Sequence, residues 1–300
     1  MSWLQLAREK VERFGLEQVS SRSLGLIRIL TCLDIIFEYA SPWVSHRVDN
    51  ELEILVLTWI VFLSNWFVLV GYKTRIASAI LFCSFGVLHL WYGQWLGMNM
   101  FRQPVQMFQV ITVLALAPSG RSLSIDRALE VRRAKREGRA PPPEQLSYWV
   151  LDVLAVEVAA IYLWAGLDKT DPAWFRGERM EHYYMFWYGS SDSLIYTPWI
   201  HEISVVMAWA TTILELSLAF GLVFRRTRYY VVWGGFVLHI GILFYFAVTY
   251  FSMMMMTVLI ACIPPKWVHD FISLIGQDSN TAPPVDAPPD TRGSGPDLVA

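Results

Sequence analysis

Long apolar blocks, separated by short polar segments, run through most of this 300-residue chain. Within the blocks, apolar residues do not alternate with polar ones as they would in a half-buried β-strand. An α-helix needs about 20 apolar residues to cross a lipid bilayer. The pattern therefore predicts eight membrane-spanning helices, at about residues 23–41, 52–71, 76–94, 104–118, 147–168, 202–223, 229–248 and 250–264.

The composition favours an all-α integral membrane protein formed by one polytopic helical bundle. The chain is 55% hydrophobic and 17% charged, whereas soluble domains carry about 25% charged residues. A net charge of -2 gives no reason to expect nucleic-acid binding. Cys32, Cys83 and Cys262 lie far apart inside apolar blocks, so their spacing excludes a disulfide framework or a zinc knuckle. We predict no metal site.

The polar ends divide the chain into three parts. Residues 1–22 form an N-terminal segment, residues 23–270 the transmembrane domain, and residues 271–300 a tail rich in Pro, Asp and Gly that is predicted to be disordered. The basic stretch 124–139 fits two structures equally well, a short helix on the membrane surface or a solvated charged loop.

Basic residues set the predicted orientation, because lysine and arginine concentrate in cytoplasmic segments. With the N-terminus inside, the cytoplasmic segments include the arginine-rich loop 119–146 and the turn at 224–228. The opposite side holds only Arg47, Arg102, Lys169, Arg176 and Arg179. Both termini are therefore predicted to be cytoplasmic, and Lys169 extracytoplasmic.

Lys169 is the main candidate for chemistry, because it follows the apolar stretch 150–167 directly. An amine fixed where lipid gives way to water is partly desolvated, and desolvation favours the neutral form that acts as a base. The alternative is a lysine that extends to the lipid headgroups, which is common at helix ends.

Further ionisable residues fall inside the predicted spans. At about 1.5 Å per residue, Glu157 lies about 18 Å from Lys169, near the bilayer centre. Isolated charges at that depth cost at least ~2.5 kcal/mol each, so they should face the bundle interior. They either hydrogen-bond between helices or form a functional polar interior. The predicted interior layer contains Asp34, Glu157, Glu215 and His239, with Arg28 nearer the cytoplasmic face.

Two other polar or aromatic groups point to the same region. Gln103, Gln106 and Gln109 form a stripe with three-residue spacing that could face the same cavity. The segment after Lys169 is either an interfacial aromatic belt or a lid over that end of the bundle. Its aromatic and histidine residues are Trp174, Phe175, His182, Tyr183, Tyr184, Phe186, Trp187, Tyr188, Tyr196 and Trp199.

The segment 162–177 resembles a signature of the vitamin K-dependent gamma-carboxylases and of their bacterial relatives, the horizontally transferred transmembrane domain (HTTM) family. The matching residues are Tyr162, Ala165, Gly166, Lys169, Trp174 and Gly177. Segments 24–28, 122–126 and 236–239 resemble other parts of the family, and the similarity covers about residues 20 to 270. The bacterial relatives imply a multi-pass protein of a bacterial inner membrane.

The resemblance implies an enzyme that uses reduced vitamin K or menaquinol. In the carboxylases, the lysine that matches Lys169 deprotonates the reduced quinone, and oxygen addition then yields a base strong enough to act on a peptide glutamate. The implied partners are the lipid bilayer and a small peptide or protein substrate. Such chemistry requires a neutral amine and a dry cavity.

The chain also departs from the carboxylases. Their supporting histidine matches Arg121, and their large extracytoplasmic domain, which binds propeptides, has no counterpart here. One alternative function is therefore a peptide-maturation or export factor that does not carboxylate. The second is a transporter, although no inverted repeat is visible in the sequence.

Overall fold

The computed structural model describes residues 17–45, 52–92, 103–188, 198–246 and 249–276. Almost all of the secondary structure in these residues is helical, so the predicted all-α fold is confirmed. In chain order the helices are α1 (Arg22–Ser45), α2 (Leu52–Val70), α3 (Thr74–Gly86, continued by a π-helical turn at Val87–Tyr92), α4 (Gln103–Leu116), α5 (Ile125–Arg136), α6 (Trp149–Asp168), α7 (Pro172–Phe175), α8 (Glu178–Tyr188), α9 (Pro198–Gly221), α10 (Arg225–Phe246), α11 (Thr249–Leu259, continued by a 3-10 turn at Ile260–Cys262) and α12 (Pro265–Gly276).

The predicted count of eight membrane spans is not confirmed. Each predicted span corresponds to a helix, but within the described ranges only α2, α6, α9 and α10 are long and apolar enough to cross a bilayer alone. A fifth crossing is possible if α11 and α12, bent by 108°, count as one broken span. Helix α1 is long enough but carries several charged residues, and α3 and α4 are apolar but short.

Helix α6 lies at the centre of the bundle. Leu151, Leu154, Ala155 and Val158 are fully buried on its inner face, in the main hydrophobic core. The helix packs most extensively against α9 and also contacts α11. Lys169 directly follows the last residue of α6, so it lies at the end of this central helix.

A small sheet, which was not predicted from the sequence, joins the segments before α1 and α6, at the other end of α6. Strand β1 (Gln18–Ser20) pairs antiparallel with β2 (Gln145–Ser147), and Val19 lies opposite Leu146. Three-residue strands are too short to produce a visible alternation. Both strands lead directly into helices, α1 and α6, so the sheet brings the start of these helices together.

Two polar segments at this end are helical. The basic stretch forms helix α5, which is one of the two structures considered for it. The hydroxyl of Ser124 accepts a hydrogen bond from the Arg127 backbone N–H at 2.9 Å and caps this helix. Helix α12 continues to Gly276, so the first six residues of the predicted tail, 271–276, are helical. Residues 277–300 lie outside the described part of the chain.

Candidate functional site

The Lys169 side chain turns inward and forms an ion pair. Its Nζ lies 2.7 Å from each carboxylate oxygen of Glu215 in α9. The lysine side chain is 19% exposed and the glutamate side chain 8%, so the pair is largely shielded from solvent. A shielded pair interacts far more strongly than a surface pair, because the local dielectric constant is low. The snorkelling alternative, in which this amine extends to the headgroups, does not describe this conformation.

The end of α6 supplies further contacts to the amine. Nζ donates a hydrogen bond to the carbonyl oxygen of Ala165 at 3.2 Å. It also lies 5.3 Å from the ring centroid of Trp174, within the range of a cation–π interaction. The free carbonyls at a helix C-terminus carry partial negative charge, which favours a cation at this position. Lys169 is thus held by its own helix, by an aromatic ring and by a carboxylate.

Gly166 lets α6 and α9 approach closely beside the ion pair. A Cβ atom at this position would lie 2.8 Å from Cδ2 and 3.0 Å from Cγ of Leu216. Leu216 follows Glu215 directly in α9. The missing side chain therefore allows the part of α9 that carries Glu215 to lie against the end of α6.

The short helix α7 fixes Trp174 under the lysine. The Asp171 side chain accepts the backbone N–H of Trp174 at 3.0 Å and caps α7, while Pro172 occupies its first turn. The Trp174 indole N–H lies 3.0 Å from both the Ala208 carbonyl oxygen and the Thr212 hydroxyl oxygen. The tryptophan therefore joins the segment after α6 to α9, one turn away from Glu215.

Gly177 makes the turn between α7 and α8 possible. Its φ of +78° is a conformation that side-chain-bearing residues rarely adopt. A Cβ atom there would also lie 2.7 Å from the backbone nitrogen of Val205 in α9. The glycine is required for both the turn and the close contact. Beside it, the exposed Arg176 guanidinium donates to Glu178 at 2.6 Å and holds the pKa of that carboxyl below its ordinary value.

Tyr162 connects α6 to α10. Its hydroxyl lies 3.0 Å from Nε2 of His239, and both residues are almost completely buried. Gly235 leaves room for this contact, since a Cβ there would lie 3.2 Å from the tyrosine oxygen. Nδ1 of His239 has no hydrogen-bond partner among the described residues. The His239 ring also contacts the ring of Phe251 edge-on, with centroids 5.5 Å apart.

The ionisable residues of the predicted interior layer do not form one cluster. Glu215 contacts Lys169, which α6 separates from Glu157 by about 18 Å, so the expectation that the two glutamates share a layer is wrong. The estimate failed because it assumed that neighbouring helices begin at the same depth, whereas the first part of α9 extends past the end of α6 and packs against Trp174 and Gly177. Glu157 is half-buried and makes no hydrogen bond or ion pair with any other described residue.

Asp34 and Arg28 have partners of their own and form no hydrogen bond or ion pair with Lys169 or Glu215. Asp34 accepts a hydrogen bond from the Thr257 hydroxyl at 3.0 Å and joins α1 to α11. Arg28 is fully buried, and its guanidinium donates to the carbonyl oxygens of Ser119, Ser122 and Leu123. Arg28 therefore holds the loop before α5.

The structure describes the side chains of two residues of the glutamine stripe, so its orientation toward a cavity remains a prediction. Gln106 is half-buried, and its side-chain oxygen has no partner among the described residues. Gln109 is exposed, and the side chain of Gln103 lies outside the described part of the structure.

The aromatic segment is divided between core and surface. Trp174 is buried, whereas His182, Tyr183, Phe186 and Trp199 are exposed. Phe175 and Tyr184 are half-buried. Tyr196 and the side chains of Trp187 and Tyr188 lie outside the described residues, so a lid remains a prediction.

Arg121, which matches the supporting histidine of the carboxylases, lies far from Lys169. It donates to the backbone oxygen of Gln145 at 2.7 Å, in β2, just before the start of α6. Lys169 follows the other end of this 20-residue helix, about 30 Å away at 1.5 Å per residue. Arg121 therefore takes no part in the Lys169 site.

The fold and the site define a helical integral membrane protein with a shielded lysine–glutamate pair near the end of its central helix. The HTTM domain model matches residues 34–267, which is most of the chain. The chain therefore belongs to the HTTM family, whose members are membrane proteins related to the gamma-carboxylases. No curated protein and no solved structure matched the chain.

Sequence reasoning missed the residues of α9 that complete the site. Ala208 and Thr212 receive the indole N–H of Trp174, and Leu216 fills the space beside Gly166. Their spacing of four places them on the same face of α9 as part of one stripe. The sequence feature that could have indicated this contact is the stripe at positions 208, 212 and 216, next to the acidic Glu215 within an apolar span.

Proposed function

We propose that this protein is a membrane enzyme in which Lys169 removes a proton from the O–H group of a lipid-like reduced quinone. The observation that carries the proposal is the contact of its Nζ with both oxygens of Glu215 at 2.7 Å. The relationship of the family to the gamma-carboxylases supports the same chemistry. Reduced vitamin K or menaquinol, when bound, supplies the acidic O–H group and the ring that is later oxidised.

Glu215 acts as the positioning partner of Lys169. The proposed step requires a neutral amine, and Glu215 is the group placed to accept the lysine proton along the 2.7 Å hydrogen bond. The amine lone pair then takes the substrate proton as the O–H bond breaks. The new ammonium lies beside the anion that remains on the substrate and stabilises it.

The surroundings of Lys169 suit a flat, apolar substrate. The buried Trp174 ring, 5.3 Å from the amine, excludes water from one side of it. The last two turns of α6 expose Trp164 and Leu167, which can contact lipid. The lysine side chain remains 19% exposed, so a molecule arriving from the bilayer can reach it without unfolding the site.

We further propose that this site works on the extracytoplasmic side of the membrane. The basic residues of α5 lie near the start of α6, where Arg127 contacts Glu144 at 3.2 Å. Lys169 lies at the opposite end of that helix. Because basic segments favour the cytoplasm, the Lys169 end is directed outward.

The test is a turnover assay on the full chain in membranes. The membranes are supplied with reduced vitamin K or menaquinol under oxygen, and the quinone epoxide is measured by mass spectrometry. The variants are Lys169→Ala, Glu215→Gln and the double variant Lys169→Met/Glu215→Gln, which leaves no unpaired charge. Size-exclusion chromatography of each variant shows whether it is folded.

We expect epoxide from the wild type and none above background from the two lysine variants. Glu215→Gln should retain a small fraction of turnover, because the amine is present but loses the partner that orients it. Absence of epoxide from the folded wild type contradicts the proposal. Equal epoxide from the folded lysine variants contradicts it as well.

A further inference from the structure

Helix α12 turns sharply away from α11. The two helices are bent by 108° at a break of a few residues, and Pro265 begins α12. Proline fits the first turn of a helix, because the backbone N–H groups there have no partner within the helix. If α11 runs across the bilayer, a helix at this angle lies closer to the membrane plane than to its normal.

The surface of α12 divides into two faces. Trp267, Phe271, Leu274 and Ile275 are all large and apolar, and each is more than half exposed. Their spacing of four, seven and eight residues from Trp267 places them on one side of the helix. Lys266, His269 and Ser273 lie on the opposite side, and Asp270 lies at the border between the two faces.

The protein holds α12 by its polar side. The Arg22 guanidinium donates to the His269 backbone oxygen at 3.3 Å and to the Ser273 hydroxyl at 2.6 Å. Nδ1 of His269 lies 3.0 Å from the hydroxyl oxygen of Ser20, in β1. Val268 packs into the main core. These contacts fix the rotation of α12, so that its exposed apolar residues project away from β1.

We propose that the exposed apolar face of α12 inserts into the lipid leaflet at the end of the bundle that carries Arg22. The neighbouring spans already expose apolar side chains to lipid, so this face continues an established lipid-contacting surface. An apolar face with a tryptophan, opposite a polar face, is typical of helices that lie at the membrane interface. Exposed Lys266 and Asp270 require water or headgroups, so α12 does not lie wholly in the hydrocarbon region. Their charges cancel, which makes apolar insertion the main interaction of this helix.

Spin labels on two sides of the helix test this inference. Only Cys83 is exposed among the three cysteines, so Cys83→Ser leaves the fully buried Cys32 and Cys262 in place. Phe271→Cys and Lys266→Cys, which lie about 140° apart around the helix axis, are then labelled separately in the full chain. The protein is placed in nanodiscs of phosphatidylcholine, with or without phosphatidylglycerol. Power saturation measures the accessibility of each label to oxygen and to a water-soluble nickel complex.

We expect the label at residue 271 to have a several-fold higher oxygen-to-nickel accessibility ratio than the label at residue 266, in both lipid mixtures. A label at residue 271 that nickel reaches freely contradicts the inference, because the face is then in water. A label there that neither reagent reaches also contradicts it, because the face is then covered by protein such as a second copy. A difference that requires phosphatidylglycerol contradicts apolar insertion as the main interaction. None of these outcomes depends on the chemistry of Lys169.

Discussion

Lys169 and Glu215 are 46 positions apart in the chain, yet their charged groups lie 2.7 Å from each other. The contact depends on the close packing of α6 against α9, which Gly166 permits and Trp174 reinforces. Four signature residues thus act on one pair: Ala165 and Trp174 contact the amine, while Gly166 and Gly177 allow the backbone to approach α9. These residues of the signature therefore position the amine of Lys169 against Glu215.

Each charge of the ion pair should stabilise the protein mainly by neutralising the other, because a shielded charge without a partner is destabilising. We expect Lys169→Met to lower the free energy of unfolding by about 3 kcal/mol, because Glu215 is then left shielded and unpaired. The double variant Lys169→Met/Glu215→Gln should recover a substantial part of this loss. Thermal unfolding in detergent micelles measures both effects.

Arg139→Ala, which removes the exposed partner of Glu137, is the control and should change stability by less than about 1 kcal/mol. A double variant as unstable as Lys169→Met contradicts the compensation.

Gly177 should be more sensitive to substitution than another glycine of similar conformation. Gly177→Ala combines an unfavourable φ of +78° with a clash against the Val205 backbone. We expect it to destabilise the protein by about 3 kcal/mol or more. Gly138 has a φ of +64°, but nothing lies within 4 Å of a Cβ there, so Gly138→Ala should cost only about 1 kcal/mol. Equal losses in thermal unfolding experiments would show that packing against α9 contributes nothing.

Trp174 should stabilise the link to α9 through its indole N–H. We expect Trp174→Phe to cost about 2 kcal/mol, since it removes the hydrogen bonds to Ala208 and Thr212 and leaves a gap in the core. The Ala208 oxygen also accepts the Thr212 hydroxyl, which limits the loss. Trp164→Phe is the matched control, because Trp164 is 75% exposed. A comparable melting temperature for the two variants contradicts the role of the buried indole.

Tyr148 should make the protein sensitive to high pH. It precedes α6, and burial, together with a 2.8 Å hydrogen bond to Tyr229, raises the pKa of its hydroxyl above the ordinary value. The neutral form is therefore favoured in the folded state. Its contribution to stability is complete below about pH 10, the ordinary tyrosine pKa, and is lost progressively as the pH rises above that value.

The corresponding measurement is chemical unfolding between pH 9 and 11. Tyr148→Phe should weaken the decline in stability above pH 10, although it lowers stability at neutral pH by removing the hydrogen bond to Tyr229. Tyr230→Phe, at a residue that is 81% exposed, should leave the decline unchanged. An identical pH dependence in wild type and Tyr148→Phe rules out the contribution of Tyr148.

Local features of this chain were predictable, whereas the pairing of distant residues was not. The helical segments follow from the apolar blocks, and Lys169 is marked by its position at the end of one block. Its contact with Glu215 depends on the rotation of α9 about its axis and on the offset between the two helices. A count of residues from an estimated helix end contains neither quantity.

Other errors also have physical causes. The strands β1 and β2 have three residues each, which is too short for a pattern, and they pair across more than 120 positions. The polar composition of the tail concealed α12, although Trp267, Phe271 and Leu274 repeat at helical spacing. The prediction that Arg28 lies nearer the cytoplasmic face leaves its partners open, because they are backbone carbonyls of a loop, which no sequence pattern marks as acceptors.

The most direct test of the account is to exchange the charges of the central pair. The double variant Lys169→Glu/Glu215→Lys keeps an ion pair at the same contact but moves the amine from the end of α6 to α9. We expect a folded protein in size-exclusion chromatography, with quinone epoxide formation reduced to background in the mass spectrometric assay. Epoxide at the wild-type level from the exchanged pair would contradict the claim that the amine of Lys169 acts as the base.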